Sequence, residues 1–511
     1  MKRVIILFVG TFTLFSCSND EVGYEVSDNA TQDSAISSQY SISEEEALAN
    51  LYAFMGEGGD SRSSDNRVVS TVLPVKYGNL GTRAIDGIDC ENLLYIANFE
   101  NEAGYAVLAG DTRIEDEVIA IIDEGSLEPE VLNHLVEFEP NERTYYDEYP
   151  MTGPSFYTTP ETGNQLILNP NTADLYIAEE QDTLVGNFTL EEDSIGSRSY
   201  SDNISSLDYN AEHFALSLTT SYAMRELIEF DPNPRDDGDD DNDHTRIVTT
   251  TSSWQTPIQV LPILDKFKYW GQSEPFNNLY IYVYHPIKFW LEPKRAAAGC
   301  FPLAIAKLMT HYEIPFYKSL GITIDYAPLK TSDRAYLSDT GSFMAEYLLV
   351  GISLDCDSWT LWGGTFTFPH KAEAFMSSIG FNSVERRQYD FDNIQDMLDD
   401  GRPIIVMSIP RWHPFESHAW NIDGYKIRQR TTTIETYIND VLHSTETKTE
   451  SKKMVHCDFG WHGVANGYYV SGVFDLDDPN IEHDPYGETD SNLYYKWYLR
   501  FIYYDIQNEN N

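Results

Sequence analysis

Residues 296–312 read Ala296-Ala297-Ala298-Gly299-Cys300-Phe301-Pro302-Leu303-Ala304-Ile305-Ala306-Lys307-Leu308-Met309-Thr310-His311-Tyr312. Leu303, Ala306, Met309 and the Leu308/Tyr312 pair recur at helical spacing and predict a buried stripe. Pro302 suits the first turn, where its missing N–H costs nothing. Cys300 therefore falls at the helix N-terminus, where the helix dipole favours a thiolate and the first free N–H groups can receive an oxyanion. A free Cys is more often a small buried core residue, and on this segment alone that reading stands ahead.

Three more segments bear on Cys300. Ser417-His418-Ala419-Trp420-Asn421-Ile422-Asp423-Gly424-Tyr425 alternates as a strand, on which His418 could face the helix. Taken alone, His418 reads as structural. Met454-Val455-His456-Cys457-Asp458-Phe459-Gly460-Trp461-His462-Gly463 sets a carboxylate among aromatics. Asp458 there could accept from the Nδ1–H of His418 and fix its tautomer. Tyr269-Trp270-Gly271-Gln272-Ser273-Glu274-Pro275-Phe276-Asn277 lies ahead of the helix, and a Gln272 side-chain amide could complete an oxyanion hole with the Cys300 N–H.

In their order along the chain, the Gln272, Cys300, His418 and Asp458 segments resemble the streptopain family (C10) of papain-like cysteine peptidases. The resemblance implies an α+β fold: a papain-like catalytic domain, with a helical and an antiparallel β subdomain, behind a small α+β propeptide domain. It implies Cys300 as nucleophile and His418 as general base, acting as a thiolate–imidazolium pair, with Gln272 as oxyanion donor. Asp458 is then the orienting group, and Trp461 shelters the His418 bond. Leu94-Tyr95-Ile96-Ala97-Asn98-Phe99, Gly104-Tyr105-Ala106-Val107-Leu108-Ala109-Gly110-Asp111 and the Glu124-Gly125-Ser126 turn are similar to the family's inhibitory propeptide. Two departures stand out. The family usually has Asn-Trp where this chain has Asp458-Phe459, and Lys426 to Lys453 form a Thr-rich insert that reads as an extended hairpin.

The remaining sequence supplies the setting. Lys2 and Arg3 precede an apolar run that ends Leu14-Phe15-Ser16-Cys17, a stretch too short to span a bilayer and similar to a bacterial lipobox. Cys17 is the expected lipid attachment site, which places the chain at the bacterial cell envelope as an outer-membrane or surface lipoprotein. The expected organisation is a signal peptide over 1–17, a disordered tether over 18–40 and a propeptide domain over 41–228. An acidic linker over 229–250 then carries the expected activation cut, and the catalytic domain occupies 251–511. Ser43-Glu44-Glu45-Glu46 predicts a capped helix, and Leu93–Phe99, Gly104–Leu108 and Val118–Ile122 predict strands. A net charge of -48 over 511 residues argues against nucleic acid and against docking on anionic lipid.

The five cysteines, Cys17, Cys90, Cys300, Cys356 and Cys457, are too scattered for a disulfide framework, and no CxxC pair occurs. His456, Cys457, Asp458 and His462 cluster, but alternation along a strand turns Cys457 away from its neighbours, so no metal or other cofactor is expected. The expected partners are protein or peptide substrates and the chain's own propeptide. Two rival readings stay open: a catalytically silent binding or inhibitor lipoprotein of the same fold, and a papain-like transferase.

Overall fold

The computed structural model describes residues 39–56, 67–77, 88–127, 129, 156–158, 165–168, 175–177, 205–230, 245–283, 293–315, 324–330, 339–361, 364–409, 418–438, 441–474 and 498–506. Cys17, the signal and tether stretches and most of the acidic linker lie outside the described residues.

The first helix, α1 (Glu44–Met55), starts where its cap was expected: the Ser43 hydroxyl accepts from the Glu46 N–H at 3.2 Å, and three glutamates fill the first turn. Four strands follow, β1 (Val69–Lys76), β2 (Asn92–Phe99), β3 (Tyr105–Ala109) and β4 (Val118–Ile122), paired antiparallel in that order. Every residue of β3 and β4 is buried. Their continuous apolar runs suit strands covered on both faces, and α1 and α2 (Ser205–Glu229) pack against this part of the sheet.

The sheet does not end with β4. It continues into the second half of the chain through β11 (Gly467–Val470), whose Gly467, Tyr468 and Tyr469 pair with Ile122, Ile121 and Ala120. Beyond β11 the order runs β10 (Val441–Asp458), β9 (His418–Ile438), β8 (Ile404–Ile409), β12 (Tyr498–Ile506) and β7 (Phe381–Gln388). Two further strands, β5 (Thr245–Thr251) and β6 (Ile258–Val260), pair with β9 beside β8. The result is a 12-stranded antiparallel sheet flanked by helices, an α+β fold. Residues 245–250, expected as linker, are thus strand: their β-branched run Thr245-Arg246-Ile247-Val248-Thr249-Thr250 pairs with Ile438–Thr433 of β9.

The expected hairpin insert is present. β9 and β10 pair from Asn421 and Asp458 out to Ile438 and Val441, with irregularities between Ile422 and Gly424 and between Thr436 and Tyr437. This pairing returns the chain after some forty residues to the side of His418. Helix α3 (Cys300–Tyr312) lies against β9 and against α4 (Asp339–Asp355), with every residue from Phe301 to Thr310 buried. Each fully buried Leu, Ile or Met there contributes roughly 1.5–3 kcal/mol. Helices α5 (Pro369–Ser378) and α6 (Phe391–Asp399) cover β7 and the β8–β9 pair.

Candidate active site

Helix α3 begins at Cys300 because Gly299 turns the chain with φ at 93°, a left-handed conformation that favours glycine. A Cβ there would also press within 2.8 Å of the Thr365 carbonyl. No side chain caps this N-terminus. The backbone N–H groups of Ala419, Phe301 and Cys300 itself lie close enough to the sulfur to favour its thiolate. Ala419 follows His418 on β9, so the helix N-terminus and the histidine share one place in the fold. Burial raises the Cys300 thiol above its ordinary pKa, and the three N–H groups pull it back in part.

His418 is buried, backed by Ser408 across the β8–β9 pair. Its ring stacks on Trp461 with centroids 4.3 Å apart and planes 8° from parallel, and on Trp420 at 5.9 Å. Nε2 lies 3.1 Å from the Phe459 carbonyl. A carbonyl only accepts, so Nε2 carries the proton and Nδ1 is left with its lone pair. Burial pushes the His418 pKa down to about 3, against a smaller upward pull from Phe459. Both shifts favour a neutral thiol beside a neutral imidazole, not the thiolate–imidazolium pair expected, because burial disfavours both charged forms.

Here the structure corrects the sequence. Asp458 was expected to accept from His418 Nδ1–H, but its carboxylate faces away, toward α3. It accepts from Lys307 Nζ at 2.6 Å, from Gly460 N–H at 3.1 Å and from Asn466 Nδ2 at 3.1 Å. The group on His418 is instead the next residue's backbone carbonyl, and the nitrogen engaged is Nε2. A strand alternates its side chains, so Asp458 cannot sit on the His418 side while its neighbour's main chain turns toward the ring.

Gln272 is half-buried, and its carbonyl accepts from the Ala298 N–H at 2.8 Å, two residues before Cys300. Gly271 bridges to Trp461, the His462 N–H donates to the Trp270 carbonyl at 3.3 Å, and Ser273 Oγ meets His462 Nε2 at 2.7 Å. The Gln272 segment is therefore tied on one side to the Cys300 loop and on the other to the Trp461 turn. Three site residues escaped the sequence reading: Phe459 acts through its backbone, Ser273 and His462 through a mutual hydrogen bond. Lys307 was given no role; a lysine among the apolar residues of this helix was the signal that it had a buried partner.

His456 stands two residues before Asp458 on β10, on the same face of the strand. Its Nδ1 is 2.6 Å from Asp423 Oδ1 and its Nε2 is 2.9 Å from Asp123 Oδ2, and the two carboxylates raise its pKa to about 10 despite burial. Among the described residues, no group of three or more His, Cys, Asp or Glu side chains is arranged to hold a metal ion. None of their helices is long and apolar enough to cross a membrane.

Residues 361–469 match the Peptidase C10 family model. Over this segment the chain is similar to the streptopain family of peptidases. The matched span holds His418, Asp458 and Trp461, and Cys300 and Gln272 lie before it. No curated protein matches the chain. Among solved structures, a fragment of prointerpain A from Prevotella intermedia, residues 39–359, is 13% identical, with 81% of this chain and 96% of that chain covered and a TM-score of 0.39. A score that low bears on neither fold nor function.

Proposed function

We propose that this chain is a cysteine endopeptidase made as a zymogen, with Cys300 as nucleophile and His418 as base. The observation that carries the reading is the Cys300 sulfur at an uncapped helix N-terminus, beside the backbone N–H of Ala419, the residue that follows a buried, stacked histidine. His418 Nδ1 takes the thiol proton as sulfur attacks the peptide carbonyl, and the Cys300 N–H and the Gln272 amide hold the oxyanion. The imidazolium then gives that proton to the leaving amine, and water hydrolyses the thioester. Trp461 covers the His418 ring. Its stacking at 4.3 Å supports the sheltering role.

The depressed His418 and raised Cys300 pKa values describe a resting neutral pair, which suits a latent precursor. The propeptide role goes to the part of the chain carrying α1, β1–β4 and α2. Activation would cut the acidic stretch ahead of β5, because the strand from Thr245 onward is hydrogen-bonded into the sheet and a poor protease target. N-terminal sequencing of the matured form tests this, and a start before residue 200 contradicts it. Anchoring through Cys17 at the cell envelope belongs to the same proposal and rests on the lipobox-like sequence; mass spectrometry of the mature N-terminus for a diacylglyceryl Cys17 checks it.

The reading as a whole is tested by incubating the chain with an epoxysuccinyl peptide and locating the adduct. An adduct on Cys300, with loss of peptidase activity in a folded Cys300→Ala variant, is expected. A folded Cys300→Ala variant that still hydrolyses peptides would sink it.

A further inference from the structure

We propose that Lys307 is a positioning residue: its buried ion pair with Asp458 fixes the turn that holds the His418 ring against Cys300. The inference rests on reading Cys300 and His418 as nucleophile and base. Lys307 lies seven residues along α3 from Cys300, or about 10 Å at the helical rise per residue. Its side chain is 0% exposed and that of Asp458 is 1% exposed, and they meet at 2.6 Å. From Asp458 the network spreads over the turn. The carboxylate accepts from Gly460 N–H and from Asn466 Nδ2, and Asn466 Oδ1 accepts from Phe459 N–H at 3.0 Å. The turn so pinned presents the Phe459 carbonyl to His418 Nε2 and the Trp461 ring to its face. One ion pair thus sets the helix that bears the sulfur in register with the turn that aims the base.

A buried ion pair is a poor source of stability, since desolvating two charges offsets most of their attraction; register is its best-attested use. The pair also explains a departure noted in the sequence. Where the resembling pattern carries Asn, this chain carries Asp458. With an ammonium on α3 facing the turn, an amide would leave that cation buried without a counter-charge. Asp458→Asn is therefore not conservative here unless Lys307 changes with it.

The test uses the full chain and three variants: Lys307→Met, Asp458→Asn and the double Lys307→Gln/Asp458→Asn. Folding is followed by circular dichroism and thermal melting. The site is read by the rate of iodoacetamide alkylation at Cys300 across pH, with the adduct located by mass spectrometry. Each folded single variant should alkylate Cys300 about tenfold or more away from the wild-type rate near neutral pH, with a displaced pH profile, and the double variant should return to within about threefold. A role in stability alone would lower melting temperatures and leave rate and profile in place. Folded single variants with the wild-type profile would overturn the proposal, as would a folded double variant that fails to recover. If the single variants do not fold, the double variant decides by its own profile. If wild-type Cys300 does not react at any pH, the nucleophile reading falls instead. A crystal structure of the double variant then decides the positioning role, and loss of the Phe459–His418 contact there would overturn it.

Discussion

Single residues around Cys300 act through contacts short enough to set a direction for each change. Gly271 is the tightest. A Cβ there would fall 2.2 Å from His462 Nε2, the atom that meets Ser273. Gly271→Ala must push the His462 ring off Ser273 and shift the Gln272 segment, at a cost of roughly 1–3 kcal/mol. A denaturation midpoint unchanged from wild type would contradict that. Trp461→Ala acts on the base. Burial holds the His418 pKa near 3, and removing the ring stacked at 4.3 Å opens His418 to water. The pKa should climb toward the unperturbed value of about 6.5. Titration of the His418 ring protons by NMR reads this directly, and a midpoint still near the wild-type value would refute the sheltering role.

At the level of elements, the sequence exposed what repeats locally and hid what depends on pairing. The capping box at Ser43, the Pro302 helix start, the Val118–Ile122 strand and the Lys426–Lys453 hairpin were all legible, because each is written in neighbouring residues. The partner of Asp458 was not. Lys307 stands 151 positions away, and the meeting follows only once α3 lies across β9. The Phe459 carbonyl was equally invisible, since a backbone acceptor leaves no mark in side-chain chemistry. The β4–β11 junction also had no local signal.

Beside that junction stands a charged seam. Asp116 pairs with Lys452 at 2.9 Å and accepts from Tyr222 at 2.6 Å, and Glu117 pairs with Arg430 at 2.9 Å. Lys452 keeps only 8% side-chain exposure. Asp116→Asn should therefore cost more than Glu117→Gln, roughly 2 kcal/mol against under 1, because the first leaves the buried Lys452 only the longer Glu450 contact at 3.5 Å, whereas Arg430 keeps Glu450 at 2.5 Å. Hydrogen exchange at β4 and β11 should quicken in the first variant, and equal effects from the two would refute the ranking.

Across the whole molecule, two histidines respond to pH in opposite senses. His456 joins the two halves of the chain, with Asp123 just past β4 on one side and Asp423 on β9 on the other. Its folded pKa of about 10 lies above the unfolded value, so its contribution is complete below about pH 6.5 and fades as pH rises toward 10. His418 is the reverse. With a folded pKa of about 3, its contribution is complete above about pH 6.5 and fades as pH falls toward 3. Urea unfolding followed across pH should show both losses. His456→Gln should flatten the alkaline one, and it should do so while leaving the acid side in place, because His418 sits on the other face of the sheet's central hairpin with its own partners. An alkaline loss that persists unchanged in folded His456→Gln would show that the junction between the halves does not depend on this imidazolium.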